Sequence, residues 1–246
     1  MKTKINNIIV ALFCLVAAFT FSGCDDDEDD KVVQETGTVT DVDGNTYKTV
    51  KIGNRWWMAE DLRSKHYRNG FNIRKSQVDS VNWSEDSIGA YCEVFDNQQN
   101  IIGQFYNFNS LTNSNQLAPE GWHIPTDDEW RELEQYLGMN AAQSEQNGWR
   151  GSSEGDKLKM PAPEGWTKYG SVWGNNESGF SAAAKGCRMF NGGWGDPGLF
   201  AAGFWWSSTQ TSNDKAFYRY LDYKQSNIFR GEANLSYGFA VRCVRD

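Results

Sequence analysis

Chemistry in this 246-residue chain would have to be built from few parts. His66 and His123 are its two histidines, so any imidazole base is one of them. His123 precedes Asp127 and Asp128 by four and five residues, a spacing that could form an acid-base or metal cluster. The same residues also fit a histidine oriented by the capping turn of a helix, and that reading is preferred. No His-Glu-x-x-His, Gly-x-Ser-x-Gly or phosphate-loop pattern occurs. Acids are plentiful, yet nothing singles out a pair placed as a glycosidase requires. Cys14, Cys24, Cys92, Cys187 and Cys243 include no Cys-x-x-Cys spacing, which argues against zinc or redox chemistry. The expectation is therefore no catalytic set, no metal and no cofactor.

Recognition is better provided for. Residues 190–206 bring Phe190, Asn191, Trp194, Asp196, Phe204, Trp205 and Trp206 together among several glycines. Rings offer contact area, while amides and carboxylates give direction, as binding loops require. Asn191, Trp194, Asp196, Trp205 and Trp206 are the expected ligand-binding residues. The competing role is core packing, and roughly half to two-thirds of these rings should be buried.

Composition narrows the classes. The chain has 11 Trp, 10 Tyr and 14 Phe but is only 39% hydrophobic, with a formal net charge of -8. Multi-span membrane proteins need runs of ~20 apolar residues. Disordered chains are poor in aromatics. An acidic balance excludes nucleic acid as a partner, because phosphate contacts need clustered Lys and Arg.

The acidity is unevenly spread. Lys2 and Lys4 precede an apolar stretch from Ile8 to Phe21, then Ser22-Gly23-Cys24. This order predicts a signal peptide over 1–23, too short to span. Cys24 resembles the lipidated cysteine of a bacterial lipobox, with Phe21 where Leu is commoner. Six acids follow at 25–30, so 24–36 reads as a lipidated, solvated tether. The run resembles the signal that sends Bacteroidota lipoproteins to the outer face of the outer membrane. The expected localisation is thus the outer membrane, lipid-anchored and facing the cell exterior. Setting residues 1–30 aside leaves 22 basic against 26 acidic residues, so the body is close to neutral. It also leaves Cys92, Cys187 and Cys243, an odd count from which one bridge involving Cys243 is expected.

The elements that must position these residues are mostly strands. Turn signals at Asp41-Val42-Asp43-Gly44-Asn45 and Gly53-Asn54 predict a three-stranded meander. The first of these is read as a hairpin turn rather than a calcium loop, since the EF-hand Gly and Glu positions are not met. Residues 60–100 read as long loops with a short helix, and Gly103 to Asn109 as a short buried strand. A capping box of Thr126 and Glu129 opens the one clear helix, about 126–137, with Trp130, Leu133, Tyr136 and Leu137 on its apolar stripe. A second helix is expected at 141–146. Residues 148–200 are Gly- and Trp-rich without regular pattern. Short strands are expected at 203–208, 216–222, 226–230 and 238–244.

These landmarks, in order, resemble the Fibrobacter succinogenes major paralogous domain. The matching stretches run from Asp43-Gly44-Asn45-Thr46-Tyr47 and Trp57-Met58-Ala59-Glu60-Asp61-Leu62 through Tyr106-Asn107-Phe108 and Pro119-Glu120-Gly121-Trp122-His123-Ile124-Pro125-Thr126. Ser178-Gly179-Phe180, Trp206-Ser207-Ser208 and Val241-Arg242-Cys243-Val244 complete the series. The resemblance covers about 37–246 and implies an α+β domain of the C-type-lectin-like superfold, related to formylglycine-generating and sulfatase-modifying domains. It implies strands from both termini lying together, and scaffold roles for Trp122 and Trp130. Ala118 stands where relatives often have Cys, which leaves the pairing of Cys243 among Cys92 and Cys187 open. The enzyme relatives' Asn-Val-Trp-Glu-Trp segment is missing. Gly195-Asp196-Pro197-Gly198 and Trp206-Ser207-Ser208 replace the calcium-lectin motifs. The expected function is a surface lipoprotein whose non-catalytic lectin-like domain recognises glycans or a protein partner. The alternatives are an assembly component of an outer-membrane complex and, third, an enzyme acting through His123 and nearby acids.

Overall fold

Turn chemistry at Asp41 starts the fold. Its carboxylate accepts from the backbone N–H of Asp43 at 3.0 Å and of Asn45 at 2.9 Å, closing a hairpin between β1 (Thr36–Thr40) and β2 (Thr46–Ile52). Gly44 takes φ +80 in that turn, a conformation that glycine adopts without strain. Tyr47 and Ser64 hydroxyls donate to the other carboxylate oxygen at 2.5 and 2.6 Å, so the turn is also tied to a distant loop. β3 (Arg55–Met58) pairs antiparallel with β2 and completes the expected meander.

The computed structural model describes residues 34–76, 83, 88–195 and 198–246. Gln34–Asp246 form one unit of mixed α+β structure, mostly sheet. The predicted signal peptide, Cys24 and most of the tether lie outside the described residues, as do 77–82 and 84–87 of the stretch read as loops. That stretch also contains strands. β4 (Arg74–Lys75) runs parallel to β5 (Ala90–Phe95), which pairs antiparallel with β6 (Ile101–Tyr106). A short α1 (Phe108–Leu111) follows, capped by Asn107.

The first sheet has the order β1-β2-β3-β12-β7, where β7 is Trp122–His123 and β12 is Val244–Arg245. The strand expected at 238–244 is therefore mostly something else. Phe239 makes a single bridge to Tyr106, Ala240 one to Trp205, and only Val244–Arg245 joins a ladder. The second sheet, β8-β11-β10-β9, comprises Gly148–Arg150, Ile228–Asn234, Lys215–Asp222 and Ala202–Gln210.

α2 (Asp127–Tyr136) forms where its capping box places it. Thr126 accepts from the Glu129 backbone at 3.3 Å, and Glu129 accepts from the Thr126 backbone at 2.8 Å. Trp130, Leu133 and Leu137 are buried, but Tyr136 is exposed and lies over Gly53 in the β2–β3 turn. α3 (Ala141–Ser144) is shorter than expected, and α4 (Glu154–Leu158) adds one turn in the stretch read as irregular.

The two faces of the second sheet differ sharply. Toward α2 it presents Arg150, Arg219 and Arg230. Arg150 and Arg219 reach Glu134 at 2.6 Å each, while Arg219 and Arg230 reach Asp127 at 2.7 and 2.8 Å. On the other face one ring per strand stands in register, Trp149, Phe229, Tyr220 and Phe204. Successive centroids are 5.4, 5.9 and 4.6 Å apart.

Two buried clusters form the core. One gathers Val50, Trp57, Trp130, Phe180 and Trp205, and the other Tyr47, Tyr106, Phe108, Trp206 and Phe239. Cys92, Cys187 and Cys243 are buried free thiols, so the expected bridge involving Cys243 is not formed. Burial pushes the Cys92 and Cys187 thiols up to about 12 and that of Cys243 higher still.

Candidate functional site

Two tight turns contribute to the walls of one hollow. The first joins β5 to β6. There Asp96 accepts from the backbone N–H of Gln98 and Asn100 at 2.8 Å and from the Asn100 side chain at 2.9 Å. These bonds hold the Asp96 carboxyl below its ordinary range. The second turn is a small hairpin in which Arg188 bridges Trp194, with Met189 donating to the Gly193 carbonyl at 2.7 Å. Asn191 sits exposed at its tip and accepts from the Gly193 N–H at 3.0 Å. Gly195 is required on packing grounds, since a Cβ there would lie 2.2 Å from the Cys187 sulfur.

That hollow is a cleft of about 610 Å³, lined by Phe95, Asp96, Asn97, Gln99, Lys185 and Trp194 among others. A smaller hollow of about 290 Å³ adjoins it, with Lys75, Glu93 and Arg188 in its wall. Phe95 and Trp194 line both. Trp194 is 47% exposed. It leans on Phe105, 6.3 Å between centroids, and the Arg188 guanidinium lies 4.9 Å from its ring centre. Arg188 is 1% exposed, and its backbone is pinned to Gly238 by reciprocal bonds of 2.9 and 2.8 Å.

Charge behind the cleft is held by two shared carboxylates. Asp61 receives Lys185 at 2.7 Å, Arg242 at 2.6 Å and the Trp205 indole N–H at 3.0 Å. Burial opposes ionisation of Asp61, but Lys185 and Arg242 outweigh it and hold the carboxyl well below the carboxylate range. Glu93 receives Lys75 at 2.6 Å and Lys65 at 3.2 Å, and these likewise outweigh its burial.

The expected ligand-binding residues separate into three groups. Trp194 is in the cleft and Asn191 at the tip of the hairpin that carries it. Trp205 and Trp206 are 1% and 0% exposed and present no face to a ligand. They are adjacent on β9, so strand alternation sends them into opposite core clusters. Asp196 lies outside the described residues. Phe95, Asp96, Asn97, Gln99, Lys185 and Arg188 were not anticipated. Of these, Asp96-Asn97-Gln98-Gln99-Asn100 carried a turn signature between two apolar runs.

His123 belongs elsewhere. Its Nε2 meets Glu129 at 2.9 Å and its Nδ1 meets Asp246 at 2.6 Å, while Asp127 and Asp128 bind arginines. The Glu129 bond, set against partial burial and helped by Asp246, raises its pKa above the ordinary value of 6.5. Both ring nitrogens are engaged by carboxylates, an arrangement that clasps elements together. Among the described residues no group of three or more His, Cys, Asp or Glu is placed to hold a metal ion. No described helix is long and apolar enough to cross a membrane.

No curated protein and no solved structure matches the chain significantly. The ordered sequence landmarks do have a counterpart among protein families. Residues 50–245 match the Fibrobacter succinogenes major domain, and the chain belongs to that family.

Proposed function

We propose that the chain is a lipoprotein, anchored through Cys24 in the outer membrane and facing the cell exterior, whose lectin-like domain binds glycans at the Trp194 cleft without turning them over. The half-exposed Trp194 ring carries this reading, because it is flanked by the amides of Asn97 and Gln99 and by Lys185. A sugar ring stacks on an indole face, while amide and ammonium groups bond its hydroxyls. The meeting of β12 with β3, which brings the chain's ends into one sheet, supports the lectin-like assignment. The engagement of both His123 nitrogens supports a non-catalytic role.

A glycan array probed with the full chain in detergent tests it. Selective binding is expected, weakened about tenfold by Trp194→Ala, ~1.4 kcal/mol. Silence on the array, or a Trp194→Ala variant that binds as well, would refute it. Protease shaving of intact cells checks orientation, since a protected domain contradicts exterior display.

The ring row on the second sheet favours a second reading, an assembly role in a surface complex. The rings are contiguous and partly exposed, with Trp149 the most open at 38%, and contiguous apolar patches mark interaction surfaces. A partner that stays bound through solubilisation and is lost with Trp149→Ala would select it.

A further inference from the structure

Three loops meet at an exposed aromatic patch. Thr167 donates its backbone N–H to the Phe200 carbonyl at 2.6 Å, and Tyr223 donates to that of Ala201 at 2.9 Å. Segments 167–173, 200–201 and 222–224 are thereby joined. Tyr169 and Val172 pair across a tight turn in which Gly170 takes φ +55. Tyr169, Trp173 and Phe200 are 49, 53 and 40% exposed. Tyr169 meets Tyr223 edge-on at 5.6 Å between centroids. The Lys224 ammonium lies 5.6 and 5.1 Å from those two ring centres, and that of Lys168 lies 4.5 Å from the centre of Trp173.

Net charge gives this patch no preference, since Lys168 and Lys224 are set against Glu164 and Asp222 in and beside the same segments. Its partner is decided by the rings. Trp and Tyr collect at the boundary between lipid and water, where the ring is apolar and its N–H or O–H stays wet. Lysine stems lie along apolar surface there while the ammonium remains in water.

Position selects the same surface. The Gln34 side-chain amide donates to the Ser178 carbonyl, so the start of the folded unit is fastened five residues beyond Trp173. Five residues span at most about 18 Å. On the reading of Cys24 as the lipid anchor, on which this inference rests, the ten residues Cys24 to Val33 lead from the lipid to Gln34. They reach at most about 36 Å. A domain of this length is roughly 40 Å across. The tether is too short to let the far side of the domain touch the lipid, and the side within its reach carries Trp173.

We infer that the patch of Tyr169, Trp173, Phe200 and Tyr223 rests in the headgroup layer of the bilayer that holds the Cys24 lipid. The contact is reversible. A few rings bind a bilayer weakly alone, but an anchored chain makes the encounter intramolecular and raises the effective concentration of lipid.

Hydroxyl-radical labelling read by mass spectrometry tests it ring by ring. The lipidated full chain is floated with phosphatidylcholine–phosphatidylglycerol vesicles and compared with a full-length Cys24→Ser chain in buffer. Labelling of Tyr169, Trp173 and Phe200 is expected to fall severalfold on the vesicles. Phe71, 64% exposed on a loop bonded to Asn115 and Gln116, is expected to label equally in both. A Trp173→Ser, Phe200→Ser chain should still float while Tyr169 regains its reactivity. Unchanged labelling of all three rings on a chain that floats overturns the inference and leaves the anchor standing. Equal protection of Phe71 overturns it too, because coverage is then general. Patch rings already protected in the Cys24→Ser chain, and released when Asp25 to Asp30 are changed to Ser, would make the tether the occupant instead of lipid. A wild-type chain that does not float removes the anchor reading and this inference together.

Discussion

His123 shows how one side chain can serve as a clasp. It joins Glu129 at the start of α2 to Asp246 beside β12, and Arg55 meets the same Glu129 at 2.9 Å. A histidine whose folded pKa is raised adds stability that is fully present below its unfolded value, here 6.5, and that disappears as pH rises through the folded value. Glu129 behaves oppositely. Burial opposes its ionisation, but His123, the Thr126 N–H and Arg55 lower its pKa, so its contribution is lost as pH falls below about 4.5. The clasp is strongest between those limits. Since His123 is more than a third exposed, the contribution is at most ~1 kcal/mol. Thermal melts from about pH 5 to about pH 9 should show a decline of about 2–4 °C, and His123→Gln should flatten that part of the profile. An unchanged slope in the variant would exclude the clasp.

At the scale of elements, α2 is fastened to the second sheet by charge as well as by Trp130 and Leu133. Asp127 is buried with Arg219 and Arg230, and Glu134 with Arg150 and Arg219. Removing one partner leaves an opposite charge buried and unmatched. Asp127→Asn should therefore cost about 3–5 kcal/mol, read as a melting temperature lower by about 10 °C. A change under ~1 kcal/mol would mean the arginines find other partners. α2 itself was legible because its signals are local, with Thr126, Glu129 and Gly138 acting within a few residues of the helix. Its arginine partners were not, because Arg150, Arg219 and Arg230 come from three strands distant in sequence. The cleft was hidden for the same reason. Phe95, Lys185 and Trp194 meet only once three segments have folded. The cluster at 190–206 marked the right neighbourhood through its rings and glycines, but composition cannot say which rings face inward. Strand alternation decided that for Trp205 and Trp206.

Across the whole molecule, the residues near the C-terminus hold the sheets together. Phe239 bridges to β6, Ala240 to β9, and Val244 lies between β3 and β7, so this one segment touches each of the three sheets. A proline in a central strand removes a ladder bond and clashes with its neighbours. Val244→Pro should cost ~3 kcal/mol or more, measured as a lower urea midpoint or loss of soluble protein. Wild-type stability in that variant would show the segment to be dispensable.

That seam also dictates an order of events. β1, β2 and β3 are synthesised long before their sheet can close, and the edge of β3 stays unpaired until Val244 arrives. Pairings so remote in sequence close slowly, and a waiting strand edge is open to wrong partners. If the chain is exported as its first residues suggest, this delay has a use. A polypeptide entering a membrane pore N-terminus first would remain threadable until its tail followed, and would lock only on the far side.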